Sequence, residues 1–141
     1  SGKLAFPETA RAAMGLGRDL AHVAREAMIA IGCIQAQRCH SGHCPAGVAT
    51  QNRWLMRGLD PTSKAARLAN YVIELRKELS RLAHACGHVH PAMVSLDELE
   101  LIDDRFGTET LRERFGYEPG WGLPAGVSED ELASIVRQAA G

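Results

Sequence analysis

The sequence has few aromatic residues and almost no net charge. Of its 141 residues 5% are aromatic, and 16 Lys and Arg stand against 17 Asp and Glu, a formal net charge of −1. General nucleic-acid binding usually requires a strongly basic surface. No apolar run approaches the roughly 18 residues of a membrane span, and the opening SGKLAFPETA shows no signal-peptide pattern. We therefore expect a cytoplasmic protein that binds neither nucleic acid nor membrane.

Cysteine is also scarce, but three of the four cysteines lie close together. Cys33, Cys39 and Cys44 have the spacing C-x5-C-x4-C, and the close C-x2-C pair typical of structural zinc sites is missing. Clustered thiols in an intracellular chain more often bind metal or do chemistry than form disulfides. Soft thiolates favour iron–sulfur clusters and zinc. Three interpretations stay open: an iron–sulfur cluster, zinc with help from His40 or His43, or a structural or redox thiol cluster.

Apolar periodicity predicts a mostly helical chain. FPETARAAMGLG and REAMIAIGCIQ are typical of helices, and DLAHVA (residues 19–24) between them is the one credible strand. Three later pieces, SLDELELI, TETLRERF and SEDELASIVRQAA, begin with the candidate caps Ser95, Thr108 and Ser128.

The clearest predicted element is a long helix that Pro61 opens and Gly87 ends. Its apolar residues recur at steps of three and four and form one stripe. Because Cys86 lies on this stripe, we expect a buried thiol there and not a metal ligand. The stripe consists of Leu68, Val72, Leu75, Leu79, Leu82 and Cys86.

The order helix, strand, helix at the start is typical of an α/β unit whose other strands are missing. A complete (β/α)8 barrel needs about 250 residues, so 141 residues are too few for one. We therefore expect a piece of a larger α/β protein.

The segment GCIQAQRCHSGHCPAGVATQ (residues 32–51) resembles the cluster segment of the FMN-binding domain of glutamate synthase and its shorter, amidotransferase-free relatives. The similarity extends to residues 1–28 and to GYEPGWGLP (residues 116–124). It implies the C-terminal fragment of an FMN-binding (β/α)8 barrel, locally mostly α-helical, with a helical C-terminal extension. Residues 1–51 would be the end of the barrel with its cysteine loop, and residues 52–141 the extension.

The resemblance also implies the cofactors and the residues that hold them. Cys33, Cys39 and Cys44 match the three ligands of a 3Fe-4S cluster. The positions that hold the FMN phosphate match Gly2, Lys3, Ala24 and Arg25.

For the complete enzyme, the resemblance implies an oxidoreductase that passes electrons from the iron–sulfur cluster through FMN to 2-iminoglutarate, forming glutamate. Its partners would be the remainder of the barrel and an electron donor such as ferredoxin or a flavin-containing reductase subunit. We expect the fragment alone to be inactive. The alternative is a small helical binding module with a zinc or structural cysteine site.

Overall fold

The computed structural model describes residues 4–102, 107–118, 121 and 128–140, which form a mainly helical structure with one small sheet. None of the helices in these ranges is both long and apolar enough to cross a membrane. The (β/α)8 barrel inferred from the resemblance stays a prediction. The elements are α1 (Pro7–Gly15), α2 (Arg25–Ala30), α3 (Pro61–Ala85), β1 (Glu100–Ile102), β2 (Thr108–Thr110), α4 (Leu111–Phe115) and α5 (Glu129–Ala140), with single 3₁₀ turns at Cys39–Ser41, Leu55–Gly58 and Pro91–Met93.

The described residues divide into two compact units. Residues 22–76 form one, here called the cysteine unit, and residues 4–21 with 77–140 form the other, here called the terminal unit. The core of the terminal unit is built mainly from small side chains, and no large side chain in the described ranges is fully buried. Its buried apolar residues are Ala5, Ala10, Ala13, Leu79, Ala83, Val94, Leu96, Leu111 and Ala133.

Four helices end in the same hydrogen-bonded motif. After α3, Gly87 donates its N–H to His84 O at 2.9 Å and His88 donates to Ala83 O at 3.0 Å. This Schellman arrangement satisfies carbonyls that the helix leaves unpaired, and it needs a left-handed residue. Gly87 has φ 84°, which confirms its predicted role. The corresponding glycines of α1, α2 and α4 are Gly17, Gly32 and Gly116.

The apolar stripe of α3 is buried only in part. Leu79 and the neighbouring Ala83 are buried, whereas Val72 is 41% exposed. The prediction of a buried thiol at Cys86 was wrong, because this side chain is exposed. The helix ends at Ala85. Cys86 therefore occupies the cap position, where helical spacing no longer fixes the direction of a side chain.

Residues 19–24 form no strand, contrary to the prediction. A strand requires a partner for its backbone groups, and the segment pairs with no other strand in the described ranges. Leu20 is 79% exposed. Ala21 and Val23 are half-buried.

The segment SLDELELI is not a helix either. Residues 95–98 form a turn in which Glu98 N–H donates to Ser95 O and Ser95 N–H donates to Glu98 Oε2 at 2.9 Å. Residues 100–102 then continue as β1, which pairs antiparallel with β2. The Glu98 carboxylate thus closes a turn onto the backbone of Ser95, the predicted cap.

The caps of the last two helices are well defined. Thr110, not the predicted Thr108, caps α4: its Oγ1 accepts the Glu113 N–H, and Glu113 Oε2 accepts the Thr110 N–H. Thr108 instead begins β2. At α5, Ser128 Oγ accepts the Glu131 N–H at 3.3 Å, which confirms Ser128 as a cap.

A bidentate ion pair joins the turn before β1 to α4. Asp97 Oδ1 and Oδ2 accept from Arg112 Nε and Nη2 at 2.6 and 2.9 Å. Hydrogen bonding from the guanidinium holds the pKa of Asp97 below its ordinary value of 3.8. The folded state therefore favours the ionised carboxylate.

We expect Asp97→Asn to lower the denaturant midpoint at pH 7 and to have no effect at about pH 2. Because folding lowers the pKa of Asp97, the ion pair stabilises the protein above pH 3.8 and this contribution is lost as the pH falls below it. Urea unfolding at both pH values measures this. Glu109→Gln is the control, since its 3.5 Å pair with Arg114 is exposed and worth little. Equal effects of the two substitutions at pH 7 would contradict the prediction.

Candidate functional site

The end of α2 positions the first cysteine of the cluster segment. Gly32 donates its N–H to Ile29 O at 2.9 Å, and Cys33 donates to Met28 O, also at 2.9 Å. With φ 108° at Gly32, this is the Schellman end described above. The position of Cys33 is therefore set by helix termination, and its side chain is half-buried.

The loop between the first two cysteines contains two left-handed residues that are not glycine. Gln35 has φ 56° and Gln37 has φ 55°. Such conformations cost about 1–3 kcal/mol each and often occur at functional sites. Gln35 donates its backbone N–H to Cys33 Sγ at 3.4 Å. The loop thus directs a backbone donor at the first sulfur.

The second cysteine lies on an exposed turn. Cys39 begins the 3₁₀ turn, which Ser41 stabilises by donating its hydroxyl to Arg38 O at 3.0 Å. His43 follows, with Nδ1 2.7 Å from Ser41 O. His40 and His43 are both exposed. His43 thus keeps Nε2 available for a ligand, while its other nitrogen contacts the backbone.

The third cysteine is buried in a tight turn. Cys44 is 6% exposed, and its carbonyl accepts the Gly47 N–H at 3.2 Å. Hydrogen bonding from backbone N–H groups, that of Ala49 above all, lowers the pKa of Cys44, although burial acts in the opposite direction. The thiolate is the form that binds metal. The remaining N–H groups with the same effect belong to Ala46, Val48 and Gly47.

Close backbone packing holds this turn in place. A Cβ at Gly47 would lie 2.6 Å from Leu55 O and 3.1 Å from Met56 Cα, so only glycine fits here. Thr50 also donates its hydroxyl to Gly42 O, which joins the residues on either side of the Cys44 turn. The Cys44 turn and the 3₁₀ turn at Leu55–Gly58 therefore support one another.

The structure gives Cys33 and Cys44 backbone donors but does not bring all three cysteines together. In the described ranges no group of three or more His, Cys, Asp and Glu side chains is close enough to hold a metal ion, and all four cysteines are free thiols. The donor chemistry nevertheless fits a cluster, because thiolates that accept backbone hydrogen bonds are the ligands iron–sulfur clusters use. Ligation by Cys33, Cys39 and Cys44 stays a prediction.

Two of the four residues predicted to bind the FMN phosphate are described. Ala24 is the N-cap of α2 and Arg25 its first residue, and both side chains are exposed. Gly2 and Lys3 lie outside the described residues. The FMN contacts therefore stay a prediction as well.

The sequence prediction missed the residues that surround Cys44. A signal was present, because Cys44-Pro45-Ala46-Gly47 has Pro and Gly at the positions that a β-turn prefers. That pattern predicts the turn, but not that its backbone N–H groups face the sulfur. Arg11 was also overlooked: it is 8% exposed and contacts Cys86.

The terminal unit contains a separate cleft of about 430 Å³. His88 Nε2 lies 2.6 and 2.8 Å from the two carboxylate oxygens of Glu98, and Arg112 binds Asp97. These polar side chains are engaged with one another. Since the cleft offers no unpaired reactive group among them, we assign no chemistry to it.

Comparison with known proteins identifies the family. The conserved region in glutamate synthase matches residues 1–89, which include all three clustered cysteines. The chain belongs to the glutamate synthase family. Over 99 residues it is 42% identical to the glutamate synthase large subunit-like protein YerD of Bacillus subtilis, covering 70% of this chain and 19% of that protein. Over 102 residues it is 39% identical to the archaeal glutamate synthase (NADPH) of Methanocaldococcus jannaschii, covering 72% and 19%.

These matches confirm the resemblance seen in the sequence. The chain spans about a fifth of the length of these curated glutamate synthase relatives, 19% of each of the two named above. No solved structure matches it. The boundary predicted at residue 51 stays a prediction.

We expect Gly47→Ala to open the Cys44 turn. The added Cβ would clash with backbone atoms, and overpacking of this kind costs about 1–3 kcal/mol. Since 1.4 kcal/mol is a factor of ten in an equilibrium constant, Cys44 should react roughly tenfold faster with iodoacetamide. Peptide mass spectrometry measures the rate at this cysteine.

Gly42→Ala is the matched control for Gly47→Ala. Gly42 has φ 71° and Gly47 has φ 76°, so both substitutions carry the same backbone penalty. A Cβ at Gly42 would meet nothing within 4 Å. Equal acceleration in the two variants would show that the close approach to Leu55 does not hold the turn.

Proposed function

We propose that this member of the glutamate synthase family carries the iron–sulfur site of a flavin oxidoreductase. The observation that carries the proposal is that the family's conserved region contains all three clustered cysteines, with Cys44 buried and Gln35 N–H donating to Cys33 Sγ. Cys33, Cys39 and Cys44 would hold a 3Fe-4S cluster. Such a cluster supplies one-electron transfer when it is bound.

The protein's part is to hold the sulfurs and tune their environment. Backbone N–H groups that donate to cysteine sulfur help to set the reduction potential of a cluster. The Cys44 turn supplies such donors, and Gln35 supplies one to Cys33 at 3.4 Å. Cys39, on its exposed turn, would complete the set after a local movement of the loop.

The positive charge of the cysteine unit also favours the binding of an anionic cofactor. Residues 22–76 contain seven Lys and Arg but three Asp and Glu, although the whole chain is close to neutral. Lys64 Nζ lies 3.1 Å from where a Cβ at Gly32 would stand, directly beside Cys33. Positive charge in this part of the chain favours an anionic group such as a cluster with thiolate ligands. The basic residues are Arg25, Arg38, Arg53, Arg57, Lys64, Arg67 and Arg76.

The second cofactor would be FMN. Arg25 supplies positive charge at the start of α2, and we propose that it contacts the phosphate together with Gly2, Lys3 and Ala24. These contacts would form within an FMN-binding (β/α)8 barrel to which the remainder of the enzyme contributes. In the complete enzyme electrons would pass from the cluster through FMN to 2-iminoglutarate, giving glutamate.

The electron donor would be a ferredoxin or a flavin-containing reductase subunit. The name of the Methanocaldococcus jannaschii relative includes NADPH, which favours a reductase that draws on this nucleotide. We propose a cytoplasmic location, because clustered thiols stay reduced in that compartment.

Cluster ligation is tested by replacing each cysteine with serine. After anaerobic reconstitution of the chain with iron and sulfide, Cys33→Ser, Cys39→Ser and Cys44→Ser should each lose most of the bound iron. Cys86→Ser is the matched control and should retain it, since Cys86 belongs to the terminal unit. Iron and sulfide assays with visible absorption give the readout.

Two outcomes would overturn the proposal. One is full iron retention in Cys39→Ser, which would remove that residue from the ligand set. The other is a colourless parent chain that binds one zinc ion and loses it in His40→Ala or His43→Ala. That result would establish the alternative, a helical module with a zinc site.

A further inference from the structure

The terminal unit contains a buried arginine that faces a cysteine. Arg11 on α1 is 8% exposed. Its Nη1 donates to Leu82 O at 3.0 Å, and its Nη2 lies 2.6 Å from Cys86 Sγ. Its Nε is buried without a hydrogen-bond partner in the described part of the chain. The guanidinium thus has an unused donor next to a thiol.

A buried guanidinium requires negative charge nearby. Burial of an unpaired charge is costly, and buried arginines therefore usually bind carboxylates. No ion pair to Arg11 occurs within the described residues. Leu82 O, in the last turn of α3, supplies part of the compensation, because the C-terminal end of a helix carries partial negative charge. The sulfur of Cys86 is the other group that Arg11 faces.

Cys86 is accessible to solvent and also contacts the guanidinium of Arg11. Its side chain is exposed, although its sulfur contacts the buried Arg11. Reactive cysteines are found in such electropositive and partly exposed surroundings, because the thiolate is the nucleophile. Cys39 is also exposed, but none of the described residues donates a hydrogen bond to its sulfur. The two thiols therefore differ in their electrostatic partner.

We propose that Cys86 is a redox modification site, which hydroperoxides oxidise to a sulfenic acid while Arg11 acts as its positioning residue. The sulfur attacks one peroxide oxygen, the O–O bond breaks and an S–O bond forms. Two electrons pass from sulfur to the peroxide, and the leaving oxygen takes up a proton and departs as water or an alcohol. The oxygen added to sulfur then accepts a hydrogen bond from the guanidinium.

This inference is independent of the proposed iron–sulfur site. Cys86 and Arg11 both belong to the terminal unit, whereas the clustered cysteines belong to the cysteine unit. Failure of the iron assays therefore does not bear on the oxidation of Cys86, and the reverse also holds.

The test measures sulfenic acid formation at each cysteine separately. The purified chain is freed of metal with a chelator and treated with hydrogen peroxide in the presence of dimedone, and peptide mass spectrometry quantifies the label. We expect Cys86 to be labelled several-fold faster than Cys39. Arg11→Gln should lower the rate at Cys86 about tenfold, and Arg11→Lys should restore part of it because the charge returns.

Arg18→Gln is the matched control, because it removes the same charge close to the end of α1. Arg18 is exposed, and its side chain makes no described contact with Cys86. It should leave the labelling rate unchanged. If Arg11→Gln does not fold, the ratio of Cys86 to Cys39 labelling in the parent chain decides. Equal labelling of Cys86 and Cys39, or an unchanged rate in a folded Arg11→Gln variant, would overturn the proposal.

Discussion

The need to satisfy the last carbonyl groups of each helix governs the placement of reactive groups in this chain. At α2 and α3 a left-handed glycine and the residue beside it fold back to donate to the final turn. At α2 the second donor is Cys33, and at α3 the glycine is flanked by Cys86 and His88. A requirement of helix termination therefore sets where two of the four thiols lie.

Three of the four cysteines occupy two different electrostatic settings. In the cysteine unit Gln35 donates its N–H to Cys33 Sγ, and hydrogen bonding from the backbone lowers the pKa of Cys44, which suits metal ligation. In the terminal unit Cys86 is approached by the side chain of Arg11, which suits a reactive thiol. The position of a backbone donor is fixed by the turn that carries it, whereas the side chain of an arginine can move when the charge of its partner changes.

Helix periodicity and turn residues predicted the structure correctly where the conformation depends on neighbouring residues in the sequence. Pro7 marks a helix start because its ring fixes φ, and Gly87 marks a helix end because glycine adopts a positive φ without strain. Periodicity failed at residues 19–24, since a strand depends on a partner that spacing does not reveal, and at Cys86, which lies one residue past the helix. The cysteine spacing identified the candidate site, but spacing does not reveal that the chain folds back to bring Leu55 against Gly47. The contact of Arg11 with Cys86 could not be predicted because these residues are far apart in the sequence.

The central claim is that the cysteine unit binds an iron–sulfur cluster. The most direct test measures the iron, zinc and sulfide content of the anaerobically reconstituted chain. The electron paramagnetic resonance spectrum of the same sample is recorded with it. The account predicts a brown protein with iron and acid-labile sulfide in the ratio of three to four, and a paramagnetic signal in its oxidised form that is lost on reduction. A colourless chain with stoichiometric zinc, or one that takes up neither metal, would contradict it.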